Sequence, residues 1–281
     1  MTFDAKRLRH WHVADTEQLL TRRDTAFYAL STGFGADPLD RAILPFVDPV
    51  RPDLRASPSL ALVLAYPGFW IADPALGVDV ARVLHLDQSI EIVRPLPIEG
   101  VITGRTTILD VIDRGEGRGA LVVSDRVLSC DGERFARLVQ TLLLRSEGGF
   151  GASPGIVPPR RRVPETTPDQ IIRFSLPEDA ALFYRLNGDF NPLHSDPDLA
   201  SRAGFARPIM HGMGTFGFVT RHLIAHACRG EPDRLASIAM RFAAPGFPGD
   251  RFALHIWSGG AFALVAEDGR RVIDDGVFAL R

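Results

Sequence analysis

The sequence predicts an α+β fold in which an antiparallel sheet wraps a long central helix, with that unit built twice. Three observations predict it. Residues 213–228 carry apolar side chains at helical spacing, Phe216, Val219, Leu223 and Ala227 with Phe218 and Ile224 beside them. A helix apolar over so much of its surface must be enclosed by other structure. Runs rich in β-branched residues follow one another with short turns between them. Neighbours joined so closely pair antiparallel, because parallel neighbours need long crossovers. The same order, helices and then strands, occurs on both sides of a Gly/Pro-rich stretch.

Taken in order, residues 22–31 read as a short helix and 74–85 as another, with Val78, Val80, Val83 and Leu84 apolar. Strands are expected at 89–96, 101–112, 118–130 and 134–145. Their separators are Pro97-Ile98-Glu99-Gly100, Arg114-Gly115-Glu116-Gly117 and Asp131-Gly132, the last a hairpin signal. Residues 148–168, which include Arg160-Arg161-Arg162, read as a linker between an N-terminal module, 1–147, and a C-terminal module, 169–281. In the second module helices are expected at 177–187, 198–203 and 213–228. Strands are expected near 234–244, 250–258, 261–267 and 271–280. Two internal echoes support duplication: Ile90 to Pro97 against Ile238 to Pro245, and Tyr28-x-Leu30-x-x-Gly33 against Tyr184-x-Leu186-x-Gly188.

Composition narrows the function. With 46% hydrophobic residues over 281 positions the chain can bury a sizeable core, which excludes a disordered protein. A net charge of -2 offers no electrostatic footprint for nucleic acid or acidic lipid, so neither is expected as a partner. The longest apolar run, residues 60–66, is far short of a membrane span, and the basic N-terminus has no apolar stretch behind it to make a secretory signal. Cys130 and Cys228 stand apart from any CxxC or Cys/His spacing. A disulfide framework and a structural zinc are therefore not expected, and a reducing, cytoplasmic location is. Lys6 is the only lysine among 32 basic residues, which argues against Schiff-base chemistry.

The chemistry concentrates in residues 184–213. Asp189 and His194 lie five positions apart across Asn191-Pro192, so a loop presents them rather than one helical face, and a loop can aim both at one point. Asp189 can accept a proton, His194 titrates near neutrality, and the Asn191 amide can hold a water or a carbonyl. His211-Gly212 opens the long helix, where free backbone N–H groups and the positive dipole end make an oxyanion site. Met213 and Phe216 belong to the core or to an acyl pocket. Asp196 and Asp198 suit the start of a short helix. His222 and His226 lack the Glu of a zincin motif.

Gly188-Asp189-Phe190-Asn191-Pro192-Leu193-His194, with Ala203-Gly204-Phe205 and Pro208-Ile209-Met210-His211-Gly212-Met213, resembles the signature of the (R)-specific enoyl-CoA hydratase, or MaoC-like dehydratase, family. The first half resembles the family's two-module members in Tyr28-Ala29-Leu30, Val83-Leu84-His85, Arg94-Pro95-Leu96-Pro97 and Gly148-Gly149-Phe150-Gly151. The resemblance implies a double hot-dog fold and an acyl-CoA thioester substrate, with no metal or redox cofactor. It implies that Asp189 and His194 activate one water, Asp189 drawing its proton and His194 delivering one. It further implies that Asn191 orients the pair, that the Gly212 amide binds the thioester oxygen, and that His211, Met213 and Phe216 contact substrate. The first module would be non-catalytic and make room for the acyl chain, since residues 34–39 hold no His. Where relatives often carry Phe-x-Tyr-Glu, this chain has Phe46-Val47-Asp48, which leaves the role of Asp48 open. A homodimer is expected. The rival readings are a hot-dog thioesterase, a non-catalytic acyl-CoA binding module and a metal hydrolase using Asp189, His194, Asp196 and His211.

Overall fold

The computed structural model describes residues 2–151 and 162–281; Arg160 and Arg161 of the linker run lie outside the described residues. The chain runs α1 (Ala5–Arg9), β1 (Thr16–Leu20), α2 (Arg22–Ser31), α3 (Leu44–Val47), β2 (Val83–Ile92), β3 (Gly100–Asp113), β4 (Ala120–Cys130) and β5 (Glu133–Leu144). It continues through β6 (Gln170–Ser175), α4 (Ala180–Tyr184), α5 (Pro197–Arg202), α6 (Gly212–His226), β7 (Leu235–Phe242), β8 (Arg251–Ile256), β9 (Ala261–Ala266) and β10 (Arg271–Leu280). No helix among the described residues is long and apolar enough to cross a membrane.

The strands join in one sheet of order β1-β3-β4-β5-β2-β7-β10-β9-β8-β6, with every pairing antiparallel. Each half places its own strands in the order first, third, fourth, fifth, second, so the topology is duplicated. The halves meet where β2 pairs with β7, and there Ile90 stands directly opposite Ile238, the two residues that open the sequence echo. Across the same seam Arg241 donates from Nε and Nη2 to the two carboxylate oxygens of Asp87, at 2.7 and 2.9 Å. The second echo marks the same axis: Tyr28 and Tyr184, both fully buried, meet edge to face with centroids 6.2 Å apart.

Helix α6 is the buried core of the second half. Phe216, Val219 and Leu223 have no exposed surface, and each such side chain contributes roughly 1.5–3 kcal/mol on burial. Gly214 and Gly217 lie on the face where Tyr184 and Thr32 press against the helix, leaving no room for a Cβ. Helix α2 is set by a capping box between Thr21 and Asp24.

Three expectations need correction. Residues 74–85 are not one helix. They form two single 3-10 turns, Pro74–Leu76 and Val80–Arg82, separated by Gly77 in the left-handed conformation, and β2 begins at Val83. The apolar Val83 and Leu84 therefore belong to a strand, whose end falls at Ile92, before Pro95 and Pro97. The helix expected at 177–187 is α4 followed by a 3-10 turn, Arg185–Asn187, and stops at Gly188 with φ 112°. The halves also differ in their centres: where the second has α6, the first has a fully buried 3-10 segment, Pro58–Leu62.

Candidate active site

The site is built on the stretch where α4 cannot continue. Gly188 takes a left-handed φ, the chain turns, and Pro192–His194 form a single 3-10 turn capped by Asn191, whose Oδ1 accepts the Leu193 N–H at 3.0 Å. Asp189 stabilises the same bend by accepting the Asn191 N–H at 3.2 Å. This puts Asp189, half-buried, and His194, buried, on one side of the loop. His211 closes the group from the start of α6, its ring stacked on His194 with centroids 3.7 Å apart. One ligand atom from each of Asp189, His194 and His211 lies within 4.8 Å of the others.

Backbone carbonyls fix both imidazole tautomers, because a carbonyl can only accept. His194 Nδ1 donates to Ile209 O at 2.9 Å, which leaves Nε2 with its lone pair. His211 Nε2 donates to Asp189 O at 3.2 Å, so this histidine braces the loop that carries the carboxylate. Burial lowers the His194 pKa, with Arg185 adding to the shift, while Asp189 and the Ile209 bond oppose it. His211 is pushed down to about 3, by burial and then by His194. Both rings are thus neutral at neutral pH.

Asp189 lies on the wall of a cleft of about 450 Å³. Tyr184, Asn187, Gly188 and Met213 of the second half share that wall with Thr16, Gln18, Ala65, Tyr66, His85 and Gln140 of the first. Ala65 holds a left-handed φ of 42°, kept there by Gln18, which accepts its N–H at 2.7 Å, and by Thr16, whose hydroxyl donates to its carbonyl at 2.6 Å. Burial raises the Tyr66 hydroxyl and puts that of Tyr184 well above its usual range, so both phenols stay neutral.

Gly212 is the first residue of α6, and its N–H belongs to the helix turn that has no intrahelical acceptor. A Cβ there would come within 3.2 Å of the Phe242 ring, which itself packs edge-on against His85. Of the other expected contacts, Met213 lines the cleft, whereas Phe216 has no exposure and belongs to the core. Asp196 is occupied as the cap of α5, accepting from Asp198 and Leu199, and does not join the Asp189 group. Asp48 closes a turn by accepting the Val50 N–H, away from the cleft. The first-half wall was not assigned from sequence. Its signals were the Val83-Leu84-His85 string and the apolar run ending at Tyr66-Pro67, but nothing local says that these two meet.

A duplicated antiparallel sheet closing over a buried helix defines a double hot-dog protein, here with an Asp/His pair on the loop before that helix. The MaoC like domain model matches residues 157–273, and the MFE-2 hydratase 2 N-terminal domain model matches 19–146. The 3-hydroxyacyl-thioester dehydratase Y of Mycobacterium tuberculosis is 39% identical over 251 residues, covering 87% of this chain and 85% of that one. A probable enoyl-CoA hydratase 2 of Dictyostelium discoideum is 32% identical over 292 residues, covering 99% and 96%. The crystal structure of a MaoC-like dehydratase from Phytophthora capsici superposes with a TM-score of 0.87, covering 99% of each chain at 28% identity. The chain belongs to the MaoC-like dehydratase family, in its two-module form.

Proposed function

We propose that this protein is a hydro-lyase that reversibly adds water to a trans-2-enoyl-CoA, giving a (3R)-3-hydroxyacyl-CoA. The observation that carries the reading is the convergence of the Asp189 carboxylate, on the wall of the cleft, with a neutral His194 whose Nδ1 donates to Ile209 and leaves Nε2 with its lone pair, beside the first turn of a buried helix. Relatives named as a thioester dehydratase and an enoyl-CoA hydratase support the reaction class.

In this mechanism the Gly212 N–H donates a hydrogen bond to the thioester oxygen as negative charge develops there, making Cβ electrophilic. A donor of this kind is worth about 10²- to 10³-fold in rate. Asp189 accepts one O–H of the water and orients it. His194 Nε2 takes the other proton as the oxygen attacks Cβ, and the imidazolium returns it to Cα on the same face. One water is consumed, its OH on Cβ and its H on Cα, and the reverse path expels it. The Nδ1 bond to Ile209 supports this division, because a neutral imidazole so held can deliver only a proton it has first received. It amends the expectation that Asp189 alone draws the proton. Asn191 orients the pair by capping the turn between them, and His211 acts by bracing the Asp189 backbone rather than by touching substrate.

The first half, which carries most of the cleft wall, shapes the space for the acyl chain. No step uses a metal or a redox group. Two free thiols, Cys130 and Cys228, are consistent with a cytoplasmic enzyme. Association as a homodimer completes the reading and is checked by light scattering. The test is loss of enoyl absorbance on adding the protein to crotonyl-CoA, with a chelator, with Asp189→Asn and His194→Gln, and with a thiol-reactive dye. Hydration that survives the chelator and disappears in both variants is expected. Release of CoA thiol in place of hydration would make the protein a thioesterase, and near-normal turnover in either variant would reject the assigned roles.

A further inference from the structure

A buried cation lines a small cavity next to the cleft, and the mechanism does not use it. Arg126 on β4 is 7% exposed. Its Nη2 donates to the carbonyls of Ala61 and Leu62, at 3.3 and 2.7 Å, but Nε and Nη1 donate to no protein acceptor. No carboxylate among the described residues lies within ion-pair distance of it. Asp125, its neighbour in sequence, is engaged with Arg137 at 2.7 Å. Tying two carbonyls needs only a neutral amide. A guanidinium placed there adds a desolvated charge and two unserved donors, an arrangement that is costly without an anion.

The surroundings say where such an anion would come from. Arg126 lines a small cavity of about 20 Å³ together with Gln88, Thr106 and Ser124. Tyr66, Gln140 and Met213 border both this cavity and the cleft that holds Asp189. Arg126 stacks over the Tyr66 ring at 5.2 Å, and the Tyr66 hydroxyl feels the opposing charges of Arg126 and Asp189. Met213, unbranched and adaptable, lies on the border shared by the two spaces. Burial lowers the Arg126 pKa only to about 10, so the group remains a cation at neutral pH.

We infer that the acyl pocket selects chains ending in a carboxylate, ω-carboxyacyl-CoA thioesters, with Arg126 as the residue that reads the terminal anion. The inference rests on the enoyl-CoA hydratase reading. A carboxylate pairs with the buried guanidinium and accepts from its unserved donors, whereas a methyl terminus leaves both unmet.

The test is a series of trans-2-enoyl-CoA thioesters from four to twelve carbons, each with a methyl, hydroxyl or carboxyl terminus, assayed on the wild-type chain. At the length that spans the cleft, kcat/KM for the carboxyl form is expected to exceed that of the methyl form by about tenfold or more. Arg126→Gln, which keeps an amide donor for Ala61 and Leu62, should bring that ratio to one or below. Methyl chains preferred at every length, equal preference for the hydroxyl form, or a ratio unchanged in Arg126→Gln would each overturn the inference. The wild-type comparison decides the matter even if the variant does not fold. Hydration of no thioester at all would defeat the hydratase reading itself, whereas hydration of methyl chains alone would defeat only the role of Arg126.

Discussion

Acidification from pH 7.5 to 5.0 should strip stability from this protein through histidines that are folded neutral. Burial pushes His85 down to about 4, and His211 and His222 to about 3, from the ordinary 6.5. The unfolded chain therefore binds more protons than the folded one below pH 6.5. The contribution of these groups is complete above that value and is lost as pH falls through the folded pKa values of about 4 and 3. Each group loses about 1.4 kcal/mol per pH unit in that window, so reaching pH 5 removes about 2 kcal/mol per histidine and ~6 kcal/mol for the three. That is comparable with the whole stability of a typical domain, about 5–15 kcal/mol. His194 shifts in the same direction. Carboxylates with lowered pKa, such as Asp113 and Asp268, start from 3.8 and act only below this window. The assay is urea unfolding followed by tryptophan fluorescence at several pH values, with the m-value checked for constancy. His222→Phe keeps a ring against Phe174, which lies 4.2 Å away, and removes an imidazole whose Nε2 has no partner. It should abolish about a third of the loss. A midpoint that does not move between pH 7.5 and 5.0, or a His222→Phe variant with the full slope, would refute the reasoning.

Other substitutions address the site and the seam. Asp189→Asn and His194→Gln should each lower kcat by about 10²- to 10⁴-fold, and the double variant should be no worse than the poorer single one, because the two act on one water. His211→Phe keeps the stack on His194 but loses the donor to the Asp189 carbonyl. It should cost about 1 kcal/mol in stability by urea unfolding and about tenfold in kcat, with KM little changed. Gly212→Val forces Phe242 aside and should reduce kcat more than it reduces Tm, as read by paired activity and melting measurements. Arg241→Met breaks the bidentate contact with Asp87 across the β2–β7 seam and should cost about 1.5–3 kcal/mol, lowering Tm without a change in KM.

Most of the strands were legible because each is a β-branched run bounded by Gly, Pro or Asp-Gly. β3, β4, β5 and the four strands after α6 fall within a few residues of the expected positions. Helix α6 was legible from its apolar surface, and the Asp189/His194 loop from its Asn-Pro break. The failures have local causes. Residues 74–85 hold apolar side chains at helical spacing, yet Gly77 stops the turn and β2 needs Val83 and Leu84 to pair with Leu144 and Leu143. Tertiary pairing overrode the local pattern there. Phe216 could not be told from a pocket residue because a helix buried all round offers no polar face to orient it. The first-half wall of the cleft was hidden for a different reason: Thr16, Tyr66, His85 and Gln140 are far apart in sequence and meet only through the order of the strands. Arg126 sits in a strand whose residues from Ala120 to Arg126 are all buried, so charge alone did not mark it as buried.

Hydration at C3 places the oxygen of one water in an intact thioester, whereas thioester hydrolysis places it in a free acid. Turnover of crotonyl-CoA in ¹⁸O-labelled water, followed by mass spectrometry and chiral analysis of the product, reads this directly. The expected product is an intact thioester carrying a single ¹⁸O at C3 in the R configuration, formed by the wild-type chain and not by Asp189→Asn. Label found only in a released carboxylic acid, an S configuration at C3, or full labelling by the Asp189 variant would contradict it.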